Sequence, residues 1–385
     1  MDFSLSEEQK ILGQEARRFL EKECPTEVVR QIEEGAMGYS PELWRKVAGL
    51  GWTAMPFPEK YGGVGSSFLD LVVLIEEMGR ACFPSPFIPS VVLSGLTILD
   101  IGNEVQKEEL LPGIASGDVI STLALLESSD NYEPSSIASQ ASYDGNGFRL
   151  QGTKLFVPDA HCADLLLLVV RIQDLGKNDS AVAFFVINTK SEKINYYPLK
   201  TIAGDRLFEV NLDMKVPIGS MLGKIENGKE GLRQTLERGA VAKCAEMVGG
   251  AQKVLEMSLN YAKERKQFGH PIGSYQAIQH YCANMAIDVE ASRLNTYHAA
   301  WLMSEGLPAS KQAAVAKAWV SEAYRRVVAL GHQIHGAIGF TKEMDLELYI
   351  RRAKAAEVAF GDADFHREAI VKELLLHDSM VAREG

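Results

Sequence analysis

Arg265, Gln267 and Phe268, in "YAKERKQFGHPIGSYQAIQH", close one helical run, and Gln276 opens the next after a Pro/Gly turn. A guanidinium, an amide and an aromatic ring grouped at a helix terminus can hold a diphosphate and a planar ring. A polar helix end in a bundle has the same composition, so residue types alone leave both readings open. Further on, "GHQIHGAIGFTKEMDLELYIRRAKAAE" has glycines at 331, 336 and 339. Gln333 and the backbone amides near Gly336 can approach a phosphate or an adenine closely. A Gly-rich connection between two helices reads the same way.

The stretch "AAEVAFGDADFHREAIVKELL", residues 355–375, is one helix ending, a short turn and a second helix starting. Gly361 supplies the break, and Asp362 or Asp364 is placed to cap the following helix. Either the turn is a connector, or its acids do chemistry. Short generic signatures are absent: there is no GxGxxG after a strand, no P-loop and no HExxH, and eight scattered histidines make no triad.

Three zones have to position these groups. Residues 1–120 are helical, with "SLSEEQKILGQEARRFLEKE" offering serine caps and Ile11, Leu12, Ala16 and Leu20 at helical spacing. Residues 121–225 change period from 3.6 to 2. In "RLFEVNLDMKVP", Phe208, Val210, Leu212, Met214 and Val216 share one face, and "DGNG" at 144–147 signals a hairpin. Strands joined by turns predict a small β-barrel or sandwich. Residues 226–385 return to long Ala-rich helices, which predict a four-helix bundle that oligomerises through a face. The fold class is α+β.

The net charge of −11 disfavours nucleic acid and anionic membranes as partners. The longest apolar run, "ADLLLLVVR", is too short to span a bilayer. Cys24, Cys82, Cys162, Cys244 and Cys282 are odd in number and scattered, which makes neither a disulfide framework nor a zinc site and fits reduced thiols in the cytoplasm. No metal site is expected. The start "MDFSLSEEQK" carries no apolar signal segment and no Arg-rich transit peptide.

Taken together, "PEKYGGVG", "GTKLFVPDA", "ERKQFGHPIGSYQAIQ", "QIHGAIGFTKEMDLELYIRRAK" and the α–β–α order resemble the acyl-CoA dehydrogenase flavoprotein family over nearly the whole chain. The resemblance implies an N-terminal helical domain, a central β-barrel, a C-terminal four-helix bundle and usually a tetramer. It also implies FAD, bound between the β-domain and the bundle. The isoalloxazine is expected against Leu123, Leu125, Leu126, Phe156, Val157 and Pro158. Leu126 and Pro158 stand where many relatives have hydroxyl residues, so backbone groups are expected to take over. Arg265, Gln267, Phe268, Ile272 and Gln276 of one subunit, with Gln333, His335 and Gly336 of its partner, are expected to hold the diphosphate and adenine.

In the family the turn at 360–364 reads roughly Glu-Gly-Thr-x-Glu or Gln, and the glutamate is the base that removes the α-proton of an acyl-CoA thioester. Here Phe360 occupies the base position, and Asp362 and Asp364 take the cofactor-contacting positions and are candidate substitute bases. Some members place the base on the long bundle helix, which is Gly239 here. Glu237 matches an acidic CoA-binding position, and the arginine expected three residues on is Ala240; Arg233 or Arg238 are possible compensations. The implied partners are an acyl-CoA thioester, electron-transfer flavoprotein, and either identical subunits or a related subunit. The resulting expectation is α,β-dehydrogenation of an unusual acyl-CoA with a displaced base. The alternatives are a heteromeric dehydrogenase whose partner supplies the base and a non-oxidative flavoprotein lyase.

Overall fold

A computed structural model describes residues 5–129, 132–173, 181–192 and 194–384. The helices are α1 (Glu7–Glu23), α2 (Thr26–Glu34), α3 (Pro41–Gly49), α4 (Phe68–Arg80), α5 (Leu96–Ile101), α6 (Glu104–Ala115), α7 (Gly228–Glu264), α8 (Gln276–Ser304), α9 (Ser310–His335), α10 (Leu346–Val358) and α11 (Ala363–Glu384). The strands are β1 (Ser121–Ala124), β2 (Gln140–Tyr143), β3 (Gly147–Pro158), β4 (Leu165–Ile172), β5 (Val182–Asn188), β6 (Asn195–Leu199) and β7 (Leu207–Pro217), followed by a two-residue hairpin, β8 (Lys266–Gln267) and β9 (His270–Pro271). They sort into two compact units interleaved along the chain: residues 1–30, 68–83 and 240–385, and residues 31–67 and 84–239.

In the second unit seven strands form one mixed sheet. β1 and β2 both pair parallel with one side of β4, and β5 pairs antiparallel with its other side. β3 pairs with β2 and β7, and β6 with β7, all antiparallel. The sheet curls. Phe148 on β3 and Phe185 on β5 have ring centroids 5.1 Å apart, whereas three strand spacings in a flat sheet put them roughly 14 Å apart. The segment after β7 closes onto β5 through Leu222 N–H to the Phe184 carbonyl, 2.8 Å. The alternating residues Phe208, Val210, Leu212 and Val216 are buried in the core this curl encloses. The "DGNG" turn joins β2 to β3, with Asp144 accepting from the N–H groups of Asn146 and Gly147.

The first unit is helical. Ser6 and Gln9 form a capping box at the start of α1. α4 and α7 approach closely through glycines. A Cβ on Gly79 would overlap the Glu246 carbonyl, and one on Gly249 the Glu76 carbonyl. That is why a 37-residue helix keeps glycine in its middle. Charged side chains tie the helices together: Arg17 forks onto Glu77 at 2.9 and 2.7 Å, and buried Glu76 accepts from Arg293 and Tyr297. Among the described residues no helix is long and apolar enough to cross a membrane.

Candidate active site

The β-sheet contribution begins where β1 ends. Leu155 N–H donates to the Leu126 carbonyl at 2.8 Å, and the Thr122 hydroxyl donates to the Pro158 carbonyl, so the segments 123–126 and 156–158 lie side by side. Leu123 and Leu125 are buried in the core, Val157 likewise, whereas Leu126 and Pro158 are half-buried. A bulge between Lys154 and Val157 breaks the β3–β7 register. It turns Phe156 outward, with φ of 55° and 46% of its surface exposed. The carbonyls of Leu126 and Pro158 each accept one bond within the sheet and keep a second lone pair.

Behind these strands lies an ion pair that the sequence reading did not identify. Lys154 is fully buried and donates to Glu127 at 2.6 Å and to the Leu125 carbonyl at 3.1 Å. Glu127 also accepts from the N–H groups of Ala138, 2.6 Å, and Ser139, 3.0 Å. The lysine and these two amides hold the Glu127 carboxyl below its ordinary range against the opposing effect of burial.

In the helical unit, Arg265, Gln267, Phe268 and Gln276 are all exposed on the β8–β9 hairpin and the start of α8, and Ile272 is half-buried. Phe268 is 91% exposed with φ of 53°, and no carboxylate pairs with Arg265 among the described residues. Gln333 and Gly336 are exposed, with open space at the Gly336 Cα and a φ of 65°. His335 is different. It is buried, stacked on Tyr261 at 4.5 Å, and its Nδ1 bonds the Gly331 carbonyl at 2.8 Å. Its Nε2 is left buried without a partner. An uncommitted guanidinium, an uncovered phenyl ring, an open left-handed glycine and an orphaned imidazole nitrogen fit a ligand with a diphosphate and planar rings. Arg265→Ala is expected to weaken FAD binding roughly tenfold or more, the scale of one charge-assisted hydrogen bond, and to leave the melting temperature of the apoprotein unchanged. A fluorescence titration and a thermal melt check this.

The turn between α10 and α11 is held tightly. Phe360 and Gly361 are both left-handed, with φ of 58° and 92°. A non-glycine residue in that region costs about 1–2 kcal/mol. A Cβ at position 361 would strike the Phe365 ring, which requires glycine there. Asp362 caps α11, its Oδ1 accepting from Phe365 N–H at 2.9 Å. Asp364 is mostly exposed and pairs with Arg367 at 2.8 Å. Two further residues escaped the sequence reading. Lys317 on α9, fully buried, donates to the Gly361 carbonyl at 2.9 Å, the Glu357 carbonyl at 3.0 Å and Ser321 Oγ at 2.8 Å. His366 Nε2 bonds the Phe360 carbonyl at 2.9 Å. The available signal for Lys317 was a lone lysine in the apolar stripe "AAVAKAWVSEA".

Burial pushes the His366 imidazole down to about 4, and the nearby Lys317 cation adds to that effect. Its folded pKa is therefore depressed below that of the unfolded chain. Between about 4 and 6.5 the unfolded chain binds a proton that the folded chain does not, so this group makes stability fall on acidification through that window. The loss is about 3 kcal/mol at full development. His366→Gln is expected to remove it. Urea midpoints of both proteins at pH 7 and pH 4.5 would reveal it, and an equal acid-induced drop in both would refute it.

On α7, Glu237 is bonded to Arg233 at 2.6 Å, and Arg233 also holds Glu230. Arg238 pairs with Asp100. Both candidate replacement arginines are thus engaged with carboxylates. Gly239 and Ala240 are buried, and neither offers an ionisable group.

Two family models match the chain, "Acyl-CoA dehydrogenase, N-terminal domain" over residues 6–118 and "Acyl-CoA dehydrogenase, C-terminal domain" over residues 226–375. The chain is 30% identical over 381 residues to probable acyl-CoA dehydrogenase YngJ of Bacillus subtilis, covering 97% of this chain and 100% of that protein. Among solved structures, butyryl-CoA dehydrogenase from Megasphaera elsdenii superposes with a TM-score of 0.90 at 28% identity, covering 97% and 100% of the two chains. A chain of the ChsE4–ChsE5 complex from Mycobacterium tuberculosis superposes with a TM-score of 0.89 at 28% identity, covering 97% and 99%.

Proposed function

The chain belongs to the acyl-CoA dehydrogenase family, and from that premise we propose that it is the base-lacking subunit of a heteromeric enzyme whose companion chain supplies the α-proton base. It is an oxidoreductase of this family, and its cofactor is FAD. When bound, FAD supplies the acceptor for the hydride leaving the β-carbon of the thioester. This chain's part is to bind and orient. Arg265, Gln267, Phe268, Ile272, Gln276, Gln333 and Gly336 hold the dinucleotide, and Leu126, Phe156 and Pro158 flank the ring. Glu237, with Arg233, faces the CoA moiety.

One observation carries the choice of a partner-supplied base. Phe360 cannot accept a proton, Asp362 is spent as a helix cap, and Asp364 is exposed and paired with Arg367. A base must sit within hydrogen-bond reach of the proton it takes, with a pKa tuned towards neutrality. The likeness to a chain of the ChsE4–ChsE5 complex supports assembly with a second, related chain. In this reading the chain works as three segments, 1–120, 121–225 and 226–385, within a heterotetramer. Five free cysteines suit a reducing cytoplasm, and electron-transfer flavoprotein takes the electrons onward.

The test is anaerobic. The FAD-loaded homo-oligomer is mixed with butyryl-CoA or octanoyl-CoA while flavin absorbance is followed. Persistent colour is the expected result, with rapid bleaching on adding a related acyl-CoA dehydrogenase chain from the same organism. Rapid bleaching of the isolated protein, unchanged by Asp362→Asn and Asp364→Asn, would overturn the proposal and place a displaced base elsewhere in the chain.

A further inference from the structure

We propose that Lys317, assisted by His366, is the positioning residue of the 357–366 turn, holding the backbone at position 360 in one conformation for whichever side chain stands there. An ammonium has three N–H donors. All three of Lys317 are used, on Ser321 Oγ and on the carbonyls of Glu357 and Gly361. Burial lowers the Lys317 ammonium to about 8, and in the protonated form all of its donors are engaged. His366 adds a bond to the carbonyl between those two positions, at Phe360.

The acceptors come from three places: Ser321 from α9 itself, Glu357 from the end of α10 and Gly361 from the turn beyond it. Glu357 lies in the last turn of α10, whose final carbonyls have no intrahelical partner and carry the negative end of the helix dipole. Most helices leave such carbonyls to water. Here a fully buried lysine from α9 serves the Glu357 carbonyl and, beyond the helix, that of Gly361, although desolvating an ammonium is far costlier than exposing two carbonyls. A connector does not require that arrangement. What the clamp does secure is the pair of successive left-handed residues, Phe360 and Gly361, of which the aromatic one is strained. The chain has thus lost the carboxylate at position 360 while keeping the device that aims this position.

The proposal rests on the reading above only in taking position 360 to face the chemistry; the clamp can be tested without it. Hydrogen exchange followed by mass spectrometry on the FAD-loaded full chain reads the turn directly. In Lys317→Met, amides in peptides covering 359–366 are expected to exchange at least about tenfold faster, with α7 and α8 as protected as in the wild type. Unchanged protection of the turn, or an equal loss throughout the helices, would overturn the clamp. His366→Leu and His366→Gln provide the same decision if Lys317→Met does not fold. Glutamine can still donate to the Phe360 carbonyl and should keep the turn protected; leucine should not. Equal protection in the two would refute the role of His366. The functional arm compares Phe360→Glu with Phe360→Glu/Lys317→Met at equal FAD occupancy. Flavin reduction by butyryl-CoA should be at least about tenfold slower in the double variant. If Phe360→Glu is itself inactive, the reading of position 360 fails, and the exchange result still decides the clamp.

Discussion

Phe360→Glu is expected to speed bleaching of the bound flavin by butyryl-CoA about a hundredfold over the wild-type homo-oligomer, the lower end of what a positioned general base contributes. The turn needs no rebuilding for this. Its left-handed backbone is already present at positions 360 and 361, and its carbonyls at 357, 360 and 361 are already held by Lys317 and His366. A glutamate there lies one residue from the carbonyl that Lys317 contacts, and the buried cation favours its ionised form. The gain should appear in the rate of reduction and not in FAD occupancy, because no cofactor-holding group changes. Glu237 remains bonded to Arg233 in the variant, so thioester affinity should also stay as it is. Stopped-flow absorbance under anaerobic conditions makes the measurement. A variant that binds FAD and thioester as the wild type does, yet reduces its flavin no faster, would show that position 360 does not face the reacting carbon.

Glu127→Leu is expected to be the most destabilising single change in the β-sheet unit, costing about 3–5 kcal/mol because it strands a buried cation. Lys154 has no exposed surface. Without Glu127 its ammonium keeps only the Leu125 carbonyl, and it must either lose its proton or distort the strands. The double variant Glu127→Leu/Lys154→Met should recover part of the loss, since an apolar pair can replace a buried ion pair. Recovery should be incomplete. Glu127 also accepts from Ala138 and Ser139, and two orphaned N–H groups remain, at about 1–3 kcal/mol each. Urea midpoints of the wild type, both single variants and the double variant close the cycle. Equal midpoints for Glu127→Leu and the wild type would mean that the pair carries no stability. FAD affinity should fall with the same change, because this pair anchors the ends of β1 and β3 that carry Leu126 and Phe156.

Much of the architecture was legible along the chain because it follows from local periodicity. Ile11, Leu12, Ala16 and Leu20 repeat with the pitch of a helix, and Ser6 with Gln9 announces where it begins. Phe208, Val210, Leu212 and Val216 repeat with the pleat of a strand, and "DGNG" marks a hairpin. The cap at Asp362 is equally local, three residues from the amide it accepts from. That Phe360 stands in the turn, and that it cannot take a proton, is a matter of residue identity. Tertiary structure alone decided which carbonyls meet which cations. Lys317 reads as one more lysine on an Ala-rich helix until the fold brings in Glu357 and Gly361, 40 and 44 residues further on. Lys154 and Glu127, 27 residues apart, become a pair only when the fold brings the end of β1 alongside β3, where Lys154 continues the inward alternation of Phe148 and Leu150 just before the bulge. The same bulge turns Phe156 outward, which no period-2 pattern anticipates. Local sequence sets helix, strand and cap through short-range sterics and hydrogen bonds. Burial of a charge depends on partners distant in sequence, so its place in the molecule exists only once the chain has folded.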